Sequence, residues 1–248
     1  VVLTSDSRGS ASMVKFKSEL PEQFIEVGIA EQNIVGIAAG LATAGKRPFI
    51  ASPACFLSMR SIEQIKLDVA YSQTNVVLIG ISGGISYGAL GMSHHSLQDL
   101  AVMRAIPGIS IILPADRFET KKAIETLATD DGPAYIRIGR NPVPDVYETE
   151  DFLFRVGKAV TMKKGTDLTI IATGETVRLA LDSAKALDGE GISCRVLNMH
   201  TIKPFDEKAV IKAARETGRI ITVEEHSIHG GLGGAVAEVV GQHAPVPL

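Results

Sequence analysis

The chain has no tryptophan, and aromatic residues make up only 5% of its 248 residues. A core built from large rings is therefore excluded. Small and branched apolar residues are abundant instead, and 24 residues are glycine. This composition is typical of buried parallel sheets with helices packed closely against them. The length is enough for one large domain or two ordinary ones.

The chain also has only two cysteines and a small net charge. Cys55 and Cys194 belong to no CxxC pattern, and we interpret them as free thiols of a protein in the reducing cytosol. A net charge of −3 without a basic stripe excludes a typical nucleic-acid binder. No apolar run approaches the roughly 20 residues that cross a bilayer. The chain opens without Met or a signal peptide, and both ends look trimmed, so we expect the natural protein to extend further.

Apolar runs alternate with helical patterns over residues 1–140, which favours a mostly parallel sheet with right-handed crossovers. Asp116 and Glu119 have the spacing of a helix start. The predicted strands are Val1–Thr4, Gln23–Val27, Arg47–Ala51, Val76–Gly80, Ser110–Leu113 and Ala134–Ile138. The predicted helices are Ala30–Ala44, Ser61–Tyr71, Leu97–Ala105 and Asp116–Ala128.

A proline-rich and acidic stretch, residues 141–156, predicts a linker, because proline lacks the N–H donor that a helix or a central strand needs. A second α/β block follows over residues 157–248. Its predicted strands are Asp167–Ala172, Ser193–Asn198 and Arg219–Val223, and its predicted helices are Glu175–Leu187, Asp206–Glu216 and Gly233–Gly241. The sequence thus predicts two α/β domains, each a mostly parallel sheet flanked by helices.

The segment E-V-G-I-A-E-Q-N-I-V-G-I-A-A-G-L-A places Glu31 at the first turn of a helix rich in small residues. Position alone suggests only a glutamate favoured by the helix dipole. The whole run, however, resembles the signature around the catalytic glutamate of transketolase and its thiamine-dependent relatives. The resemblance implies a pyrimidine-binding domain, in which Glu31 would share a proton with the pyrimidine ring of thiamine diphosphate.

A glycine-rich loop after the fourth strand, G-G-I-S-Y-G-A-L-G-M-S-H-H, ends in two histidines. It could be a plain surface loop, and a metal site is disfavoured because no further ligands stand nearby. It resembles the family's substrate-binding loop. That resemblance implies that His94 faces the substrate and polarises an oxygen on which negative charge develops.

Four further residues correspond to family positions. Asp6 resembles an aspartate near the cofactor, and Ser10 a serine at the substrate phosphate, although spacing alone indicates a polar turn. Arg140 ends the sixth strand and matches a phosphate-binding arginine; by pattern alone, a solvent-facing arginine is equally possible. Phe56 follows the third strand and would stack on the aminopyrimidine, the alternative being a core phenylalanine.

Two positions depart from the classical transketolase pattern. Leu90 stands where the classical enzyme has an acidic residue that contacts a hydroxyl of the donor sugar, and Ser82 stands where it has a histidine near a phosphate. Leucine cannot accept a hydrogen bond. A standard pentose-phosphate substrate is therefore in question.

The chain has no G-D-G motif, through which the family holds the Mg²⁺ that anchors the diphosphate. The resemblance covers only the carboxy-terminal two of the three transketolase domains. It implies that an amino-terminal subunit or domain holds Mg²⁺ and the diphosphate, whereas this chain holds no metal. It also implies a dimer through the helix Ala30–Ala44 and a heterotetramer with the missing half.

The implied function is transfer of a two-carbon ketol unit between sugar phosphates by the carboxy-terminal part of a transketolase. Alternatives are a deoxyxylulose-phosphate synthase and a β subunit of a 2-oxoacid dehydrogenase, which share both domains. An alternative of another class is a non-catalytic assembly subunit. A nucleotide-binding protein is a distant third, because the glycine spacing in Gly231–Ala235 does not fit a dinucleotide motif.

Overall fold

The computed structural model describes all residues, 1–248. The chain divides into two compact units: residues 1–111 with 124–141, and residues 112–123 with 142–248. Each unit is an α/β structure with its own sheet. The expected fold class is confirmed.

The first unit is built on strands whose pairings β1–β2, β1–β3, β3–β4 and β4–β6 are all parallel. Within this unit the sheet follows the order β5-β6-β4-β3-β1-β2. β4 is buried along its whole length, as expected of a strand covered on both faces. The strands are β1 (Val2–Thr4), β2 (Phe24–Glu26), β3 (Phe49–Pro53), β4 (Val77–Ile81), β5 (Ser110–Ile112) and β6 (Ala134–Ile138).

The helices up to residue 129 are α1 (Val14–Glu19), α2 (Glu31–Thr43), α3 (Ala54–Arg60), α4 (Ile62–Gln64), α5 (Asp99–Ala105) and α6 (Arg117–Thr129), with 3₁₀ turns at Pro21–Gln23 and Gly88–Ser93. The division between the two units falls within α6. The helix predicted at Ser61–Tyr71 begins as α4 and continues as a π-helix, Ile65–Tyr71. Its last turn is wound by the bonds from Ser72 N–H to Leu67 O and from Thr74 N–H to Val69 O, each spanning five residues.

The second unit holds a sheet in the order β11-β8-β9-β7. β8 pairs in parallel with both neighbours, whereas β7 is antiparallel to β9. The strands of this unit are β7 (Val160–Lys163), β8 (Leu168–Ala172), β9 (Cys194–Asn198), β10 (Thr201–Lys203) and β11 (Ile220–Val223). Its helices are α7 (Thr176–Asp188), α8 (Glu207–Thr217) and α9 (Leu232–His243).

A buried polar cluster surrounds the start of α6. The predicted helix start is confirmed: Glu119 N–H donates to Asp116 Oδ1 at 2.9 Å, and Ala115 N–H donates to Glu119 Oε2 at 2.7 Å. Asn198 Nδ2 donates to both Glu119 oxygens, at 2.9 and 3.1 Å, and the Tyr147 hydroxyl donates at 2.9 Å. Glu119 is fully buried, so these four donated bonds replace its water shell.

The carboxyl ends of the parallel strands meet at one edge of the first sheet. The chain leaves this edge after β1, β2, β3, β4 and β6, through a loop in each case except after β3, which continues directly into α3. Every residue to which the sequence assigned a role lies in one of these loops or in the first turn of the helix that follows the strand: Asp6 and Ser10, Glu31, Phe56, His94 and Arg140, in the order of the strands. In open α/β sheets this edge is where ligands bind, so the fold brings the candidate residues to a common location.

Candidate active site

Glu31 is the first residue of α2 and its side chain is buried, with 5% of the residue exposed. The chain reaches this position through Gly28, which has a left-handed φ of 78°. Glycine adopts that conformation without the steric cost of a Cβ, so it allows the tight passage from β2 into the helix. A carboxylate is thereby held at the carboxyl edge of the sheet, at the positive end of the helix dipole.

The Glu31 carboxylate has two unequal contacts. Arg60 Nη1 lies 3.0 Å from Oε2 in an ion pair. Ser5 Oγ donates to Oε1 at 3.4 Å, a long bond, and also lies 2.6 Å from Ser52 Oγ. Oε2 is therefore engaged by a charged partner, whereas Oε1 retains capacity for a stronger hydrogen bond.

Arg60 was not among the candidates identified from sequence. It ends the short helix α3, which local periodicity did not predict, and only the fold brings it to Glu31. Its guanidinium also lies over the Phe56 ring, with Cζ 3.9 Å from the centroid. One arginine thus connects the candidate acid with the candidate stacking ring.

A cavity of about 450 Å³ opens beside Glu31. It is lined by Ile29, Ala30, Glu31, Gln32, Asn33 and Arg60. A buried carboxylate in its wall, with one oxygen weakly bonded, fits the ring nitrogen and amine of an aminopyrimidine. The residues present therefore fit the pyrimidine end of thiamine diphosphate. Nowhere in the chain do three His, Cys, Asp or Glu side chains converge in a way that would hold a metal ion.

Beyond Phe56 the side chains continue as a row. The Phe56 and His94 rings meet edge to face, with centroids 5.1 Å apart, and His94 meets Tyr87 likewise at 5.3 Å. Arg140 lies over Tyr87, with Cζ 4.8 Å from the ring centroid. We call this set the side-chain row; its members are Arg60, Phe56, His94, Tyr87 and Arg140. Glu31 joins one end through Arg60.

The two adjacent histidines play different parts. His94 Nδ1 is 3.0 Å from Ser93 Oγ, so the neighbouring serine engages one ring nitrogen and leaves Nε2 for another partner. His95 Nε2 lies 3.2 Å from the Gly88 carbonyl oxygen within its own loop. His95 therefore ties the loop to itself, while His94 is the histidine held in the row.

A buried arginine underlies the loop that carries His94. Arg137 forms an ion pair with Asp99 at the start of α5, with Nη1 3.6 Å from Oδ1, and Tyr135 OH donates to Asp99 Oδ2 at 2.7 Å. A Cβ at Gly83 would collide with Arg137 Nε, which accounts for a glycine at the beginning of this loop. Both ends of the loop are thus supported from β6.

Asp6 and Ser10 lie in the loop after β1, but both are exposed and neither side chain belongs to the row. Asp6 has a left-handed φ of 50°, a conformation that aspartate tolerates better than most residues. Its neighbours Ser5 and Ser7 point inward, to Glu31 and to the Ala51 carbonyl oxygen. The backbone turn at Asp6 thus separates inward serines from an outward carboxylate.

The two departures from the classical pattern have different environments. Leu90 is 53% exposed in the 3₁₀ turn Gly88–Ser93. Ser82 is buried at the end of β4, with a left-handed φ of 57° and an Oγ that has no hydrogen-bond partner. A buried unpaired hydroxyl is uncommon.

Family models match the two halves of the chain. The model described as "Transketolase, pyrimidine binding domain" matches residues 1–145, and that described as "Transketolase, C-terminal domain" matches residues 157–247. The chain belongs to the transketolase family. The resemblance expected from the Glu31 segment is thereby confirmed.

Similar transketolases support this assignment. The chain is 55% identical over 248 residues to an apulose-4-phosphate transketolase subunit of Phocaeicola vulgatus, covering all of this chain and 79% of the relative. It is 43% identical over 248 residues to the 6-deoxy-6-sulfo-D-fructose transketolase subunit of a Clostridium species, covering all of this chain and 77% of the relative. A solved structure described as a split gene transketolase, inactive beta4 tetramer, matches with a TM-score of 0.91 and 41% identity, over all of this chain and 80% of that one.

The chain is thus a carboxy-terminal subunit or section of a transketolase, a transferase of the family whose general reaction moves a two-carbon ketol unit. The family implies use of thiamine diphosphate. The expected function and enzyme class are confirmed at this level. No helix has both the length and the apolar character to cross a membrane.

Proposed function

We propose that this chain is the cofactor-activating half of a split transketolase and acts on sugar phosphates. The observation that carries the proposal is the Glu31 carboxylate, buried and lining a cavity, with Phe56 and His94 following it along the side-chain row. Acid, aromatic ring and imidazole then occur in the order in which the cofactor ring and the substrate carbonyl would meet them.

Thiamine diphosphate, when bound, supplies the carbon nucleophile that takes up the ketol unit. Glu31 Oε1 would share the proton of a pyrimidine nitrogen, because its bond to Ser5 is long, whereas Arg60 would keep Oε2 engaged. Phe56 would stack on the aminopyrimidine, and Asp6 would contribute to the rim on the cofactor side. These groups would orient the cofactor and hold a proton at Glu31 Oε1.

On the substrate side, His94 would donate from Nε2 to an oxygen on which negative charge develops. Arg140 would bind a phosphate, aided by Ser10. In support, Arg140 is exposed at the end of β6 and lies at the far end of the row from Glu31. A guanidinium there is free to bind two phosphate oxygens at once.

We further propose that residues 1–140 form the pyrimidine-binding domain, residues 141–156 a linker and residues 157–248 the carboxy-terminal domain. An amino-terminal transketolase subunit would supply the diphosphate site and Mg²⁺. The inactive beta4 tetramer of the similar split-gene protein supports the need for a second subunit.

Isolated, this chain should bind thiamine diphosphate weakly or not at all, because the diphosphate and Mg²⁺ sites would lie on the other subunit. Titration calorimetry with Mg²⁺ would check this.

The proposed substrate class is supported by Arg140 at the end of the row and by the names of two relatives. One relative is named for apulose 4-phosphate and another for 6-deoxy-6-sulfo-D-fructose, which carries a sulfonate and no phosphate. Both names agree with an anionic group bound by Arg140, and the first supports a phosphate. Leu90, in place of a classical acidic residue, weakens the case for ordinary pentose phosphates. We therefore propose a sugar phosphate whose donor hydroxyls do not all require a carboxylate partner.

The test is turnover by the chain assembled with an amino-terminal transketolase subunit. We expect ketol transfer that is faster from apulose 4-phosphate than from xylulose 5-phosphate, and none from pyruvate. Each subunit alone is the control. Turnover of pyruvate, without transfer from any ketose phosphate, would instead support a deoxyxylulose-phosphate synthase or a 2-oxoacid dehydrogenase subunit.

We propose the reducing cytosol as the location, because neither cysteine forms a disulfide. Burial raises the pKa of the Cys55 thiol to about 11, so this thiol stays protonated near neutral pH. A protonated thiol is a poor nucleophile. We therefore interpret Cys55 as a packing residue.

The proposed homodimer would use the small-residue face of α2. Gly36 and Gly40 are exposed on this helix, and a Cβ at either position would meet nothing within 4 Å in the chain itself. We expect Gly36→Gln and Gly40→Gln to leave the chain folded, since glutamine favours helix more than glycine, but to weaken self-association at least about tenfold. Light scattering across concentration measures this.

The matched control is Gly241→Gln, which changes an exposed helical glycine of α9 in the other unit. A Cβ there also meets nothing within 4 Å, so the variant should leave self-association unchanged. If both α2 variants self-associate as strongly as the parent chain, and circular dichroism shows intact helix content, then the dimer forms through another surface.

A further inference from the structure

Tyr87 has no role in the site described so far, yet it lies between two groups that do. Its ring contacts His94, at 5.3 Å between centroids and an interplanar angle of 65°, and Arg140 lies over the ring at 4.8 Å. Tyr87 is half-buried in the loop after β4. One aromatic ring therefore separates the candidate oxygen-polarising imidazole from the candidate phosphate-binding guanidinium.

The imidazole of His94 is confined from two sides. Phe56 meets it edge to face on one side, Tyr87 on the other, and Ser93 engages Nδ1. Ring contacts of this kind favour defined angles, so the direction of Nε2 depends on both rings. Removal of Tyr87 would leave the imidazole held by Phe56 and Ser93 only.

Arg140 depends on Tyr87 more strongly. Arg140 is exposed, and its one contact with the row is the face of this ring. A guanidinium on an aromatic face is held by the ring quadrupole while its N–H groups stay available in the ring-parallel directions. Tyr87 thus holds an exposed side chain in one position at the end of the site.

We infer that Tyr87 is a positioning residue that holds His94 and Arg140 in place relative to each other, and so favours substrates that carry a phosphate. This rests on the proposed function of His94 and Arg140. The ring, and not the hydroxyl, makes both contacts. Tyr87→Phe should therefore keep both contacts, whereas Tyr87→Leu should lose them.

The kinetic test uses the chain assembled with an amino-terminal subunit, and compares a ketose phosphate with the same ketose lacking phosphate. We expect Tyr87→Leu to raise KM about tenfold for the phosphorylated donor and to leave KM for the unphosphorylated donor within about twofold. Because His94 is also loosened, kcat should fall alike for both donors. Tyr87→Phe should restore wild-type values. The control is Met92→Ala, an exposed residue of the same loop.

An equal rise of KM for both donors, or no change in either, would overturn the inference, since a merely structural role moves both alike. Failure of the proposed function is visible separately: the wild-type assembly would then transfer nothing, or His94→Ala would be fully active.

A second measurement does not need turnover. In the isolated chain, the His94 ring proton signals should be displaced by the ring currents of Phe56 and Tyr87, and should respond to added inorganic phosphate bound at Arg140. We expect Tyr87→Leu to reduce both effects and Tyr87→Phe to preserve them. An unchanged His94 signal and phosphate response in Tyr87→Leu would overturn the inference.

Discussion

Glu31→Gln in the assembled enzyme is expected to lower kcat by at least about 100-fold, within the range that general acid–base groups contribute. Glutamine fills the same space and still accepts a hydrogen bond. It carries no charge, however, and cannot hold a proton shared with a pyrimidine nitrogen. Arg60 would also lose the ion pair to Oε2, but it is half exposed and can turn to solvent.

The matched control is Glu63→Gln on α4, an exposed glutamate of the same unit. It should retain wild-type kcat and KM. Two readouts accompany kcat: circular dichroism for folding, and calorimetric affinity of the assembly for thiamine diphosphate with Mg²⁺. Wild-type activity in Glu31→Gln, or in Glu31→Ala, would remove the basis of the proposed mechanism and favour a non-catalytic assembly subunit.

The second large effect concerns the pH dependence of stability. Desolvation by burial raises the pKa of Glu119 to about 7, against the lowering effect of the hydrogen bonds from Asn198, Ala115 and Tyr147. The folded state therefore keeps a proton that the unfolded chain releases above its ordinary pKa of 4.5. This contribution to stability is complete below about pH 4.5 and is lost as the pH rises to about 7.

The rise in the pKa of Glu119 corresponds to about 3 kcal/mol in the free energy of unfolding. We expect Glu119→Gln to be less stable than the parent at pH 5 and to gain relative to it by about this amount at pH 8. Asn198 can turn its Oδ1, which has no hydrogen-bond partner, toward the new amide. Urea unfolding followed by tyrosine fluorescence at pH 5, 6.5 and 8 measures the change, with Tyr147 inside the cluster as a reporter.

His200 gives the free energy of unfolding a pH dependence of the opposite sign. It is the same in the parent and in Glu119→Gln, so it cancels when the two are compared. Burial lowers its pKa to about 4, so its stabilising effect is full above about 6.5 and is lost as the pH falls toward 4. Glu125→Gln, an exposed change in the same helix α6, is the control and should keep the parent profile. If the free energy of unfolding changes with pH in the same way for Glu119→Gln and for the parent, then Glu119 is ionised in the folded chain over the whole range.

Local pattern was a good guide to the elements and a poor one to their short or irregular pieces. All six strands predicted over residues 1–140 are present, with ends shifted by two residues or fewer. The helix α3 was not predicted, because it follows β3 directly and Pro53 at its start supplies no capping side chain that would mark a helix. β7 and β10 were also missed: β7 runs into the pair Lys163–Lys164 and β10 ends at Lys203 before Pro204, so neither forms an uninterrupted apolar run. The turn from α-helix to π-helix at Ile65 has no sequence signal of its own.

The sequence alone determined the alternation of strands and helices, and with it the edge of the sheet at which Glu31, His94 and Arg140 lie. These follow from periodicity and from the direction of parallel strands, which are properties of neighbouring residues. Only the tertiary structure decided which side chains touch: Arg60 on Glu31, 29 residues away, and Asn198 on Glu119, 79 residues away. Such contacts depend on the order in which strands join the sheet and on how each loop returns, and no local pattern encodes either.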